Sequence, residues 1–365
     1  MKNLKNFISK LLIIIIVNIF VLELACFTLI KTNFVPGGLT PMVAFIADEN
    51  FAVSRKKDTK FNFSSKCWDS EVYYNNQGIR SLYDIKLLKE KKRIVLLGDS
   101  MTENYQLSDG YDLASTLQKK IGNDEYEVIN FGFSSTGIAE HIKLYEKKIK
   151  KLKPDILIYF PDTTDISDNH YLRKRPNQEM YKLENNIPFK LETNLSFWNS
   201  YNSTYNKIKR EYGYYLKKYS NFYKLYWAIN EAIYVNKIEK RNANLEPTRV
   251  DTEYYLEQKI IYEYLANILK ESIDRDVTKF IVIKTLKSTD MDYFRIQDQL
   301  FNDKNNFFKT VWSSEDYYDP MISAIEYLKI KDLYNHPYLS FVCDSHYNKE
   351  GAIFYSKFIS EKIIN

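Results

Sequence analysis

The chain has 365 residues, 45% of them hydrophobic, and its 52 basic and 47 acidic side chains leave a net charge of +5. This is apolar material for one large domain or two smaller ones, and no basic block interleaved with aromatics marks a surface for nucleic acid, which is set aside as a partner. Cys26, Cys67 and Cys343 have no metal-ligand spacing; Cys26 falls in an apolar run, while Cys67 and Cys343 are able to pair outside the cell.

Residues 11–30, LLIIIIVNIFVLELACFTLI, follow Lys2, Lys5 and Lys10 and end at Lys31. The run has the length of a bilayer's hydrocarbon core. Asn18 and Glu23 interrupt it, and each is expensive in lipid. A signal peptide has a shorter apolar core and a small-residue cleavage site. Only Leu24-Ala25-Cys26 resembles such a site, so residues 1–31 read as an uncleaved single-span anchor with the bilayer as partner. The lysines before the span place the N-terminus in the cytoplasm and the main domain in the periplasm or outside the cell. Residues 32–92 read as a lead-in. Pro36-Gly37-Gly38 marks a turn, 71–74 a short strand, Asn75-Asn76-Gln77-Gly78 a second turn, and 86–92 a solvated charge run.

Residues 93–104 read RIVLLGDSMTEN. The uncharged stretch 94–97 is a buried strand, and Gly98-Asp99-Ser100 breaks it into a tight turn that opens a helix. A helix over 112–121 follows, ended by Gly122-Asn123, then a strand over 127–131 and the turn Gly132-Phe133-Ser134-Ser135-Thr136-Gly137. A helix over 138–152 leads to a strand over 156–160 and Pro161-Asp162-Thr163-Thr164-Asp165. This alternation predicts a parallel sheet covered on both faces. Residues 167–250, rich in Tyr, Lys, Asn and Trp, interrupt it as an insertion over the sheet edge, helical across 207–240. Its aromatics at helical spacing (Tyr212, Tyr215, Tyr219, Phe222, Tyr223, Tyr226) point to packing against the parent domain or to a carbohydrate-stacking platform. The alternation resumes with a helix over 252–273, a strand over 280–285, a helix over 316–328, a strand over 338–342 and a closing helix over 351–364.

Polar residues gather at four expected strand ends: Ser100, Ser135, Thr164, and Asp344 with His346. A parallel sheet brings strand ends to one edge. The set has the parts of an acyl-transfer machine. Ser100 attacks a carbonyl, His346 takes and returns the proton, and Asp344 orients the imidazole. Backbone N–H groups of Ser100 and Ser135 hold the oxyanion. For Ser100 the bland alternative is a helix cap, since Asp and Ser are favoured there. His141, His170 and His336 are read as incidental, and no metal site is expected.

On GDSMTEN at 98–104, NFGFSSTG at 130–137, DTTDISDN at 162–169 and CDSHYNKEG at 343–351, the sequence resembles the SGNH (GDSL-type) hydrolases. YYNNQGIRS at 73–81 resembles the segment that precedes the first block in membrane-anchored bacterial members. The resemblance covers about 70–165 and 250–362 and leaves out the aromatic insertion. It implies an α/β three-layer sandwich with a flavodoxin-like parallel sheet over 93–365, with no cofactor. Two positions depart from the family pattern. Ser135 stands where the family has an oxyanion Gly, and Thr164 stands where it has an Asn that donates to the oxyanion. The resemblance implies a membrane-anchored serine esterase or O-acyltransferase acting on acylated, including acetylated, cell-surface glycans. The departures imply the alternative of a weak or inactive module that binds glycan or scaffolds an envelope assembly.

Overall fold

The computed structural model describes residues 2–31, 44–48, 52–65, 67–173, 178–192, 195–227, 229–230, 233, 252–286, 306–330, 339–341 and 344–364. A single long helix, α1 (Lys2–Lys31), comes first, and its stretch Asn6–Lys31 is long and apolar enough to cross a membrane. Two antiparallel hairpins follow: β1 (Phe45–Asp48) with β2 (Ala52–Arg55), and β3 (Thr59–Ser64) with β4 (Asp69–Tyr74). The turn after β4 needs Gly78 in the left-handed region, at φ 70°, where a Cβ would meet Arg55 O at 2.8 Å.

Uncharged runs then build a sheet with both faces covered. Strands β5 (Lys92–Gly98), β6 (Tyr126–Gly132), β7 (Ile156–Phe160), β10 (Lys279–Ile283) and β11 (Asp316–Tyr318) pair in parallel in the order β11-β10-β7-β5-β6. Between β7 and β10 lie the short helix α5 (Asp165–Asp168), the hairpin of β8 (Tyr181–Glu184) and β9 (Ile187–Lys190), and the helices of the insertion. The order is the doubly wound one in which the first strand lies inside, next to the third. Alternate residues of one strand enter different cores. Val95 and Leu97 join Leu157, Tyr159 and Val282 on one face, and Ile94 and Leu96 join Ile158, Phe160 and Ile281 on the other. The first face is covered by α4 (Ile138–Leu144) and α8 (Thr252–Ser272). The second is covered by α3 (Leu113–Ile121), α9 (Met321–Ile330) and α10 (Lys349–Ile359). The fold is thus a three-layer α/β sandwich with a flavodoxin-like parallel sheet, a helical insertion and one long apolar N-terminal helix. Each fully buried Leu or Ile contributes about 1.5–3 kcal/mol.

Three expectations need correction. Residues 316–318 are not the start of a helix but the edge strand β11, because Pro320 opens α9 only at Met321. The helix from Ile138 stays α-helical only to Leu144, then widens into a π turn over Tyr145–Ile149 and closes at Lys153 in the left-handed region, ahead of Pro154. The last strands, β12 (Ser340–Phe341) and β13 (Asp344–Tyr347), form an antiparallel ribbon of their own and do not join the parallel sheet.

The insertion contributes α6 (Leu195–Asn202) and α7 (Thr204–Tyr219), with a further helical stretch from Asn221 to Trp227. The part of the expected helix beyond 233 lies outside the described residues. The insertion packs on the lead-in hairpins. Tyr214 is buried among Phe61, Phe63, Trp68 and Val72, Tyr201 donates to Phe45 O at 2.9 Å, and Lys56 pairs with Glu211 at 2.7 Å. Five of the six aromatics expected to pack inward, Tyr212, Tyr215, Tyr219, Phe222 and Tyr226, are exposed, Tyr219 at 71%. Tyr214, one position off that face, takes the inward role.

Candidate active site

Ser100 opens α2 (Ser100–Glu103), directly after β5. Asp99 caps this helix, its carboxylate accepting from Met101 N–H at 2.9 Å. Two glycines permit the close packing. A Cβ on Gly98 would stand 2.2 Å from Thr102 Oγ1, and one on Gly132 would stand 2.1 Å from Glu103 N. The helix ends at Asn104, in the left-handed region at φ 51°. Arg80 gathers the carbonyls of Glu103, Asn104 and Leu107, which the short helix leaves open. The Ser100 hydroxyl donates to Asp99 Oδ2 at 3.3 Å.

Asp344 and His346 stand on β13, which packs against α2. Asn104 Nδ2 donates to Tyr347 O at 3.1 Å and ties the two elements together. His346 Nδ1 is bonded to Asp344 Oδ1, and His346 N–H donates to the same oxygen at 3.1 Å. The second oxygen accepts from Trp68 Nε1 at 3.2 Å. Burial pushes the Asp344 carboxyl up, but the hydrogen bonds and charge of His346, with Trp68, hold it below the usual range. With Nδ1 donating to the carboxylate, Nε2 is left as the acceptor. That nitrogen is buried and has no hydrogen-bond partner.

Ser135 is exposed and adopts the left-handed conformation, φ 65°, where a glycine would be at ease. Its carbonyl accepts from Gln178 Nε2. Its neighbour Ser134 is held from below, N–H at 2.7 Å and Oγ at 2.5 Å from Glu103 Oε2. Thr164 is differently occupied. Its N–H and its hydroxyl both donate to Asp162 Oδ1, at 2.8 and 2.9 Å. The hydroxyl's single proton is therefore engaged away from any oxyanion. Asp162 Oδ2 accepts in turn from Thr285 Oγ1 at 3.0 Å, fixing the carboxylate to the end of β10.

Behind the serine turn, Glu103 is a fully buried hub. It accepts from Arg55 Nε at 2.7 Å and Nη2 at 2.6 Å, and from Tyr74 Oη at 2.8 Å, as well as from Ser134. Burial pushes Glu103 up, yet the Arg55 charge and these bonds bring it below the usual carboxylate range. Arg55 also lies over Phe45, 4.3 Å from its centroid. Asp165 is a different case. Burial, with the charges of Asp99, Asp168 and Asp162 nearby, drives its pKa well above the usual range.

The structure thus brings Ser100, Asp344 and His346 onto two packed elements, puts Ser135 on the loop braced by Glu103, and turns Thr164 toward Asp162. Asp344 and His346 reach the site from the ribbon, not from a strand end of the parallel sheet as the sequence led us to expect. Sequence reasoning missed Trp68, Arg55, Glu103 and Asp162. Trp68 and Asp344 lie 276 positions apart, and no local pattern links them. A cavity of about 360 Å³ lies beside Trp68, walled also by Gln106, Leu107, Phe341 and Asn348. Cys67 is disulfide-bonded and Cys26 is a free thiol, while Cys343 lies outside the described residues. His141 is buried beside Thr136 Oγ1 at 3.0 Å, where burial lowers its pKa to about 3, and His170 is 3.4 Å from Glu257. His336 lies outside the described residues.

No family model and no curated protein matches the chain. Among solved structures it is similar to the acetyl xylan esterase AlAXEase, at 14% identity and a TM-score of 0.40, over 74% of this chain and 99% of that one. It is similar to an acetylxylan esterase from Geobacillus stearothermophilus at 13% and 0.40, over 76% and 96%. A member of the lipolytic protein G-D-S-L family from Veillonella parvula gives 13% and 0.38, over 75% and 99%. Likeness at this level assigns no residue role to this chain.

Proposed function

We propose that the protein is a membrane-anchored, SGNH-like serine esterase or O-acyltransferase that acts on acylated cell-surface glycans. The observation that carries this reading is the Asp344–His346 pair, whose Nε2 is buried and unpartnered beside the helix that begins with Ser100. In the proposed mechanism Ser100 turns its hydroxyl from Asp99 to His346 Nε2. Its oxygen attacks the ester carbonyl as the proton passes to Nε2. The tetrahedral oxyanion is met by the N–H groups of Ser100 and Ser135, and one such donor is worth about 3–4 kcal/mol. His346 then protonates the leaving alcohol, giving an acyl-Ser100. Water or a sugar hydroxyl, deprotonated by the same nitrogen, releases the acyl group. Asp344 holds the imidazole tautomer and stabilises the imidazolium. The proposed external setting and the resemblance to a family that often handles carbohydrate esters support a glycan substrate.

Two observations support the anchor and the external placement. The Glu23 carboxylate accepts from Ser220 Oγ, from Asn221 N–H at 2.5 Å and from Phe222 N–H at 3.4 Å, so α1 is bonded into the insertion in a way a cleaved leader would not be. The disulfide at Cys67 suits an oxidising compartment.

The test is turnover of p-nitrophenyl acetate and of an O-acetylated polysaccharide by the full chain in detergent, beside Ser100→Ala. The expected result is hydrolysis or transfer by the parent only, with Ser100 labelled by a fluorophosphonate. The bonds Ser100–Asp99 and Thr164–Asp162 favour a second reading, a glycan-binding module without turnover. Saccharide binding with neither labelling nor turnover selects that reading.

A further inference from the structure

One face of the insertion is apolar and open. Tyr205, Ile208, Tyr212, Tyr215 and Tyr219 recur at alternating spacings of three and four along α7, and all five are exposed. The helical stretch after Ser220 continues the stripe with Phe222 and Tyr226, and Trp227 borders it at 43% exposed. The opposite side of α7 is already used, with Tyr214 and Glu211 against the lead-in hairpins. Across 204–227 six basic side chains (Lys207, Lys209, Arg210, Lys217, Lys218 and Lys224) stand against one acid, Glu211, and at about 100° per residue Lys209 and Lys218 flank the stripe on α7, one on each side. Lys217 Nζ lies over the Trp227 ring at 4.0 Å, so charge and aromatic surface are adjacent.

The second observation fixes where this face sits. On α1, Glu23, Cys26 and Ile30 share one helix face. Glu23 receives the bonds from Ser220, Asn221 and Phe222, Cys26 is only 3% exposed, and Ile30 is half-buried. The other apolar residues of α1 from Phe7 onward are open, as in a helix made for lipid. The 26 residues of Asn6–Lys31 span about 39 Å at 1.5 Å per residue, against about 30 Å of hydrocarbon. Glu23 lies in the outer half of that span, about 12 Å before its end at Lys31, so the stretch bonded to it is held against the outer leaflet. Tyr and Trp with neighbouring Lys are the side chains that settle in a headgroup layer. A second copy is the less suitable occupant. The stripe bends at Ser220, whose φ of −108° and ψ of 118° break the helix, so no continuous two-helix seam can form along it.

We infer that the aromatic face of residues 204–227, flanked by Lys209 and Lys218, lies in the outer interfacial layer of an anionic bilayer, the same bilayer that α1 crosses. The inference rests on the anchor reading above. The insertion is therefore a membrane-lying element rather than a cover for the sheet or a saccharide platform. Its lysines meet anionic headgroups while its tyrosines reach the acyl boundary.

The test uses the full chain reconstituted in phosphatidylcholine vesicles with and without phosphatidylglycerol, carrying lipids brominated near the headgroup. Trp227 fluorescence is read as the difference between the parent and Trp227→Phe, a substitution at an exposed ring. We expect Trp227 to be quenched in anionic vesicles and the double variant Lys209→Glu, Lys218→Glu to lower that quenching by about twofold or more. Circular dichroism verifies that both variants keep their helix content. Flotation of the same samples through a carbonate wash separates the two readings. If the chain floats and Trp227 is unquenched, the inference fails and the anchor stands. If the chain does not float, the anchor reading fails and takes the inference with it. Cross-linking between copies at Tyr215→Cys, with Trp227 unquenched, gives the face to a second copy and overturns the inference.

Discussion

The parallel sheet and the layer made by the lead-in hairpins and insertion hold their side chains in opposite ways. The inner strands of the sheet are built on uncharged runs, 94–97, 156–160 and 280–283. Its inner strands alternate between two cores, and its register is fixed by burial on both faces. The second layer is a pair of short hairpins filled with aromatics and pinned by a buried ion pair, Arg55 with Glu103. The sheet supplies Ser100. The layer supplies the groups that hold the rest of the site: Trp68 on Asp344, and Arg55 on the glutamate that braces Ser134. Position and tuning therefore come from different parts of the chain. The location of Ser100 was read from the alternation of strands, while the electrostatic setting of the site came from contacts far away in sequence.

The sharpest break of this contrast is at the sheet's own contribution. Ser100→Ala should lower turnover by about a thousandfold or more while leaving the melting temperature nearly unchanged, as steady-state kinetics and calorimetry would register. The opposite signature is expected from the layer. Arg55→Ala leaves Glu103 buried and unpaired, which costs about 3–5 kcal/mol of stability in denaturant titration. Pairing Arg55→Met with Glu103→Leu should recover a large part of that loss, since the uncompensated charge is gone. Trp68→Phe lies between these extremes. Losing a hydrogen bond to a carboxylate is worth about 1.5–3 kcal/mol, so about a tenfold or greater fall in kcat is expected with the ring packing kept. Thr164→Val should change kcat by less than about threefold if its hydroxyl serves Asp162 alone, whereas loss of a true oxyanion donor is a hundredfold effect or larger. The smallest effect is one of pH. Burial pushes Asp109 up to about 6, against the pull of Arg80 and the Tyr73 N–H. The folded chain then holds a proton there that the unfolded chain has released, so this group's contribution to stability falls as pH rises from about 4 to 6. Thermal melts should show Asp109→Asn losing less stability than the parent across that window.

Much of the sheet was legible because its signal is local. The run at 94–97 became β5, and 156–160 matched β7 residue for residue. The closing helix expected over 351–364 begins at Lys349, capped by Asn348, which accepts from Gly351 N–H at 3.0 Å. The edge strand at 316–318 was missed because three residues, Asp316, Tyr317 and Tyr318, carry no run of their own and borrow their structure from β10. The ribbon of β12 and β13 was missed for a related reason, as its pairing is a hairpin property and not a continuation of the alternation. Glu103 carried no local signal of its role. Its burial depends on Arg55, 48 positions earlier, and nothing near either residue announces the other. The aromatics of the insertion showed a helical period, but period alone does not say what a face meets.

A line of rings joins α7 to the site. Tyr214 meets Phe61 edge-on at 5.7 Å, Phe61 meets Phe63, Phe63 stacks on Tyr105 at 4.7 Å, and Tyr105 lies 6.4 Å from the His346 ring. These contacts form a short stiff strut, with no slack loop between its two ends. For a chain seated on the bilayer by α1 and α7 as proposed, the strut would set the height of the candidate site above the lipid. Esters on polymers emerging close to the lipid would then be met at high local concentration, and those farther out in the envelope would lie beyond its reach.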